Sequence, residues 1–176
     1  MSVSTDILAD GFSRVQGLVH GVLAGLDESV LTARLDPAAN TIAWLVWHLT
    51  RVQDDHIADA AGSDQVWTSA GWADRFDLPL PAEDTGYGHT AEQVGLVRPA
   101  VQDLRGYHDA VHDRTLGYVA GLTEDELTAV IDTSWDPPVT LAVRLVSVIG
   151  DDLQHAGQAA LIKGVLRRTG TAGQRS

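Results

Sequence analysis

The sequence predicts an all-α fold, a four-helix bundle with long connecting loops. Apolar residues recur at steps of three or four over four long segments, which is the period of an amphipathic helix. Convincing period-two alternation, which would indicate strands, is missing from the sequence. With 176 residues, of which 44% are hydrophobic, the chain is long enough for one sizeable hydrophobic core and too short for two domains that each bury a core of that size. We therefore expect one domain over residues 1–166 and a flexible tail over 167–176.

Residues that cap helices precede three of the four long segments. The expected helices cover residues 6–26, 41–60, 99–120 and 141–166. Ser4 and Thr5 are the candidate caps of the first helix, Asn40 of the second and Thr140 of the fourth. Four long helices with two long connections are typical of a bundle that builds any cofactor site from inward-facing side chains.

The segments that connect the long helices carry capping boxes and aromatic residues. Thr90 with Gln93 and Thr123 with Glu126 each form a T-x-x-Q or T-x-x-E box, which favours a helix start. Residues 61–89 and the segment DTSWDPPVT show no sustained period, and loops of this length are often functional. The candidate pocket residues of these loops are Trp67, Trp72, Tyr87 and Trp135. For any one tryptophan, packing in the core or in a dimer is the alternative.

Composition excludes several functions. The formal net charge of -12 disfavours binding to nucleic acid and to anionic membranes. The sequence has neither a long apolar membrane span nor the plan of a signal peptide, so we expect a soluble cytoplasmic protein. Because cysteine is absent, a thiol nucleophile would have to come from a small molecule.

The fourth predicted helix carries two acids and a histidine among apolar residues, in the segment GDDLQHAGQ. At about 100° per residue, His155 lies within the apolar stripe of this helix, with Asp151 and Asp152 flanking it on either side. Either carboxylate could share a ligand with the imidazole. The pattern therefore predicts a site in the interior of the bundle.

A second imidazole faces the core from the second predicted helix. His48 lies inside the stripe of that helix and His56 lies toward one edge. A buried unpaired carboxylate is costly, and a divalent cation would relieve that cost. Two imidazoles and one carboxylate leave a zinc-like ion an open position for water or substrate. The proposed ligands are His48, Asp151 and His155, with Asp152 as the alternative carboxylate.

Two other interpretations stay open. Asp151 and His155 could form a buried hydrogen bond that only stabilises the bundle. His108 and His112 also have ligand spacing. The apolar stripe of their helix runs through Leu104, Val111 and Tyr118, and His112 falls at its edge on the side of Asp109 and Asp113, so we expect a solvated face there. His20 and His89 give no sharper indication.

The segments NTIAWLVWHLTRVQDDH and DDLQHAGQ resemble the second and fourth helices of the DinB superfamily of four-helix bundles. That superfamily includes the N-terminal domain of mycothiol-dependent maleylpyruvate isomerase and related thiol transferases. The segments GYGHT, LGYVAGL and PPVTLAVRLVSVIGDDLQHAGQ look closest to an uncharacterised actinobacterial branch. The resemblance covers nearly the whole chain and implies that His48, Asp151 and His155 bind metal. The carboxylate of Asp151 stands where many members have histidine, although the isomerase type has an acidic residue there. We expect no counterpart of the isomerase's C-terminal domain, so its substrate is not carried over.

The resemblance further implies a cytoplasmic thiol S-transferase or isomerase that uses a divalent metal, zinc or alternatively nickel, and a low-molecular-weight thiol such as mycothiol. The metal would lower the pKa of the thiol and present a thiolate to an electrophile. Asp55 and His56 could act as an acid/base pair, and Arg144 could attract an anionic group. A homodimer is expected. The alternative is a non-catalytic bundle, either a metal-binding stress protein or a dimeric interaction module.

Overall fold

The computed structural model describes residues 2–170, and four long helices dominate it. In chain order the helices are α1 (Val3–Leu23), α2 (Glu28–Leu31), α3 (Ile42–Ala61), α4 (Val66–Ser69), α5 (Trp72–Phe76), α6 (Ala91–Leu96), α7 (Val101–Gly121), α8 (Glu124–Thr128) and α9 (Leu141–Arg168). Two short antiparallel strands, β1 (Val130–Asp132) and β2 (Val139–Thr140), precede α9.

The long helices α1, α3, α7 and α9 form the predicted bundle. Helix α9 packs against α1 and α3, and α7 packs against the same two helices. The all-α prediction is confirmed. The two strands were not predicted, because segments of three and two residues are too short to show an alternation of period two.

Helix boundaries agree with the prediction to within three residues. Helix α1 begins earlier than expected because Ser2, and not Ser4 or Thr5, is its N-cap and forms a capping box with Thr5. Thr41, and not Asn40, caps α3 through a hydrogen bond from the backbone N–H of Trp44.

The other predicted caps are confirmed. Thr90 and Gln93 form a capping box at α6, and Thr123 and Glu126 form one at α8. Thr140 caps α9. That helix continues to Arg168 and so includes two residues of the predicted tail, whereas residues 171–176 lie outside the described part of the chain.

Lys163 on α9 forms hydrogen bonds to the C-terminal end of α1. Its Nζ donates to the carbonyls of Gly21, Val22 and Ala24 at 2.8, 2.7 and 2.8 Å. The last carbonyls of a helix have no partner within the helix, so these bonds satisfy groups that would otherwise be left free. They fix the mutual position of the two helices along their length.

The long connection between α3 and α7 is folded onto the bundle by buried charged groups. Asp54 accepts hydrogen bonds from the backbone N–H groups of Val66 and Trp67 and from the hydroxyl of Tyr107. Arg51, which is fully buried, donates to the carbonyls of Ala82 and Asp84. Both residues lie on α3, whose C-terminal half therefore holds the connection in place. No helix among residues 2–170 is both long and apolar enough to cross a membrane.

Candidate metal centre

His48 on α3 meets Asp151 and His155 on α9, where these two helices pack together. Each residue offers a ligand atom, and the three atoms lie within 4.8 Å of one another. The imidazole rings of His48 and His155 are 4.9 Å apart between centroids and meet edge to face. The three residues that the sequence pattern put forward as ligands are therefore brought together.

The atoms at this centre fit a divalent cation. Asp151 Oδ2 and His155 Nδ1 are buried and have no hydrogen-bond partner among residues 2–170. The distance from His155 Nε2 to Asp151 Oδ1 is 3.6 Å, which is too long for a hydrogen bond. A buried Asp–His hydrogen bond therefore does not account for the pair. Two imidazole nitrogens and one carboxylate oxygen are donors that suit zinc and similar metals, with a coordination position left open.

Residue Thr85 sets the orientation of His48. The Nδ1 of His48 lies 2.5 Å from the carbonyl oxygen of Thr85, which can only accept, so Nδ1 carries the proton. Nε2 is then the nitrogen with a free lone pair. Burial lowers the pKa of His48, and the bond to Thr85 opposes this shift. The imidazole is therefore neutral near pH 7, as a metal ligand must be.

A cavity of about 350 Å³ opens beside the three candidate ligands. His48, Asp151, Asp55, His56 and Tyr87 line it. It is completed by Val52, Thr85, Ser147 and Val148. Of the predicted acid/base and pocket residues, the structure thus brings three to the candidate metal centre.

Asp55 and His56, the predicted acid/base pair, have different surroundings in the cavity. Asp55 Oδ1 accepts a hydrogen bond from Gln65 Nε2 at 2.7 Å, so that one carboxylate oxygen is occupied. Burial lowers the pKa of His56 and the positive charge of Arg144 lowers it further, against the raising effect of Asp55. His56 is therefore neutral near pH 7 and able to accept a proton.

A second cavity, of about 250 Å³, adjoins the first one. Trp135, Val139, Val143, Arg144 and Ser147 line it, and Ser147 also lines the first cavity. Arg144 and Trp135, both predicted to contact substrate, thus lie next to the centre rather than in it. A salt bridge of 2.7 Å joins Arg144 to Asp132.

Trp67 and Trp72 do not line either of these cavities. Their rings pack with Phe76 and Tyr107, with centroid distances of 5.0 to 6.3 Å. Trp67 also donates through Nε1 to the carbonyl of Ala82 at 2.9 Å. Both rings therefore hold the connection between α3 and α7 against the bundle. Trp67 and Trp72 thus pack in the core, which was the alternative to a role in the substrate pocket.

Asp152 is separate from the three candidate ligands. Its side chain is fully buried, and neither carboxylate oxygen has a hydrogen-bond partner in the part of the chain that the structure describes. Burial, together with the neighbouring charge of Asp151, raises the pKa of Asp152 well above its usual range. The geometry therefore favours Asp151 over Asp152 as the carboxylate ligand.

The predicted solvated face at His108 and His112 is wrong. His108 is fully buried and His112 nearly so. The apolar stripe assigned from the sequence ended at Tyr118, but the buried stripe of α7 ends at Val119 and includes Thr115. The buried stripe is therefore rotated about the helix axis relative to the predicted one, and both histidines face the neighbouring helices.

Sequence reasoning missed the bonds that the segment between α5 and α6 makes to α3. They join Thr85 to His48, and His89, the partner of Asp84, to Trp44. The long loop over residues 61–89, the candidate Tyr87 and the resemblance of the segment GYGHT pointed to this region but to none of these bonds. These contacts join residues about 40 positions apart, which no local pattern records. Arg51 and Asp54 were missed as well, although charged residues within the apolar stripe of a helix could have indicated them.

Comparisons with known proteins agree with this architecture. The family model that matches is described as mycothiol-S-transferase and covers residues 8–167. A crystal structure of a conserved protein from Enterococcus faecalis is similar at a TM-score of 0.86 and 34% identity, over 93% of this chain and 96% of that chain. No curated protein matches the sequence. Because the family model spans nearly the whole chain, the chain belongs to the mycothiol-S-transferase family, within the DinB-like superfamily.

Proposed function

We propose that this protein transfers a low-molecular-weight thiol to an electrophilic substrate at a divalent metal centre. The thiol class is that of mycothiol, which the family description names. The observation that carries the proposal is the group formed by His48, Asp151 and His155, whose ligand atoms lie within 4.8 Å beside an open cavity. The absence of cysteine supports it, since the sulfur must then come from outside the chain.

His48, Asp151 and His155 would hold the ion, with zinc as the first candidate and nickel as the alternative. A bound divalent ion supplies Lewis acidity, which lowers the pKa of a thiol in the open coordination position. The protein's own part is to keep the imidazole of His48 neutral and to hold the three ligand atoms together. Thr85 contributes by fixing the proton of His48 on Nδ1.

The cavity offers groups for the remaining steps. His56, neutral because burial lowers its pKa, would accept the proton that the thiol releases, with Asp55 beside it. The sulfur then forms a bond to the electrophilic carbon, and any leaving group departs with its electron pair. Tyr87 and Trp135, both exposed, would contact the substrates on either side, and Arg144 would attract a polar or anionic group.

A conjugation assay tests this proposal. Zinc-loaded protein would be incubated with monobromobimane and either mycothiol or glutathione, and the thioether product quantified by mass spectrometry. We expect product formation above the uncatalysed rate with at least one thiol, and its loss in His155→Ala but not in His20→Ala, which lies on α1. Equal rates for wild type and His155→Ala, or no acceleration with either thiol, would contradict the proposal.

A further inference from the structure

Residues 84–89 form a loop that covers the outer face of His48, and two of its side chains bond to each other. His89 Nε2 lies 2.8 Å from Asp84 Oδ2, and the side chain of His89 is only 3% exposed. Asp84 Oδ1 accepts the backbone N–H of Gly86 at 2.8 Å. Each carboxylate oxygen of Asp84 therefore has a donor from within the loop.

The protonation state of His89 follows from its second partner. Trp44 donates from Nε1 to His89 Nδ1 at 3.0 Å, and an indole nitrogen can only donate. Nδ1 of His89 is therefore unprotonated, and Nε2 carries the proton that is donated to Asp84. The ring is also stacked on Trp47, with centroids 5.9 Å apart. His89 thus links the loop to α3 through two tryptophans.

The bonds of Asp84 extend this link into the bundle. Arg51, fully buried on α3, donates from Nε to the carbonyl of Asp84 at 3.2 Å. Burial alone would raise the pKa of Asp84, but the hydrogen bonds from His89 and Gly86 and the charge of Arg51 outweigh it and lower the pKa. The carboxylate is thus stable as an acceptor at neutral pH.

The loop reaches His48 at two points. The carbonyl of Thr85 accepts from His48 Nδ1, and the next residue, Gly86, packs directly against the same ring. A Cβ on Gly86 would come within 2.9 Å of His48 Nδ1. His48 also stacks on Trp44, with centroids 4.5 Å apart. Trp44 thus contacts both His48 and His89.

We propose that the hydrogen-bonded pair Asp84–His89 is a positioning device for His48, which fixes its tautomer and ring orientation by holding the Thr85 carbonyl on Nδ1. Neither Asp84 nor His89 lines the cavity or belongs to the ligand group, so the pair acts on the centre through the loop residues and the tryptophan that contact His48. This inference rests on the proposed metal centre for its functional meaning. The tautomer itself is a property of the metal-free protein.

The test uses nitrogen-15 NMR of the histidine side chains in metal-free protein, followed by zinc titration against a competing chelator. We expect the wild-type His48 to be a single Nδ1–H tautomer and His89→Ala to show a mixture of both tautomers. Zinc affinity should fall about 10- to 100-fold in His89→Ala, as for other groups that orient a metal ligand. His89→Gln, whose amide can accept from Trp44 and donate to Asp84, should recover most of both properties.

His20→Ala is the matched control, because His20 forms a comparable pair with Asp109, at 2.6 Å, on the other side of the bundle. It should change neither the tautomer of His48 nor the zinc affinity. If His89→Ala does not fold, as judged by circular dichroism, Asp84→Asn replaces it, since it removes one of the two acceptor oxygens.

A folded variant with the tautomer and zinc affinity of the wild type would overturn the positioning role. A wild type that binds no zinc would contradict the proposed metal centre instead. The tautomer comparison in metal-free protein still decides the role of Asp84 and His89 in that case.

Discussion

His48 and His155 differ in the use of their second ring nitrogen. Nδ1 of His48 is hydrogen-bonded to Thr85, whereas Nδ1 of His155 is buried and finds no hydrogen-bond partner among the described residues. The first imidazole is oriented before any ion binds, and the second has a buried polar atom whose desolvation nothing in the described chain compensates. An unsatisfied group of this kind costs about 1–3 kcal/mol, and a cation bound at Nδ1 would offset that cost.

Asp151 and Asp152 permit a direct comparison of two adjacent carboxylates. Asp151→Asn should weaken zinc binding at least about 10- to 100-fold, the loss that even groups outside the coordination shell produce. Asp152→Asn should leave zinc affinity unchanged, because its carboxylate is not part of the ligand group. Chelator competition on both variants measures the difference. Equal losses, or a loss only in Asp152→Asn, would show that the wrong carboxylate has been assigned.

At the level of elements, the loop over His48 depends on two glycines with positive φ, Gly86 at +93° and Gly88 at +73°. Alanine at either position is strained by about 1–2 kcal/mol. Only at Gly86 would the added Cβ also meet His48 Nδ1 and Trp47, each at 2.9 Å, while the space around Gly88 is open. Alanine variants at the two glycines therefore distinguish the effect of backbone strain, which both have, from the effect of contact with His48, which only Gly86→Ala has.

We expect Gly86→Ala to lose most of its zinc affinity and Gly88→Ala to keep it, although both lower the free energy of unfolding. Urea denaturation and zinc titration of the two variants check this. Comparable zinc affinity in both would mean that the loop does not govern His48.

The contact of α1 with α7 should make stability depend on pH. His108 is fully buried, and burial together with His112 lowers its pKa to about 3. Its ordinary value is about 6.5, so between these values the unfolded chain binds more protons than the folded one. The free energy of unfolding therefore decreases as pH falls from about 6.5 toward 3, by at most about 1.4 kcal/mol per pH unit for this one group.

Replacing His108 by leucine should remove this contribution, because leucine is apolar and does not titrate. Urea denaturation at pH 7 and pH 5 would measure it: the difference between the two pH values should be smaller in His108→Leu than in the wild type. An unchanged difference would show that His108 is hydrated or hydrogen-bonded in solution.

At the scale of the whole molecule, the bundle was predictable because each long helix carries its own apolar period and caps. The ligand group was predictable for the same reason, since Asp151 and His155 are one turn apart and His48 lies in a core stripe. The carbonyl of Thr85 and the pair Asp84–His89 were not, because tertiary contacts across 37 to 45 positions orient them. The burial of His108 was misjudged because a stripe drawn through Leu104, Val111 and Tyr118 is rotated from the true one.

The predicted homodimer remains a prediction about the whole molecule. Sedimentation equilibrium would check it, and a monomer mass of 18.8 kDa at all concentrations would contradict it. Two copies of a chain of net charge -12 repel each other, so increasing salt should favour the dimer by screening that repulsion.

The central claim is that His48, Asp151 and His155 hold a divalent ion, and elemental analysis of protein purified without an affinity tag tests it most directly. We expect near-stoichiometric zinc or nickel in the wild type and its loss in a folded His48→Ala variant. The absence of metal from both proteins after reconstitution, or equal metal content in both, would contradict the account.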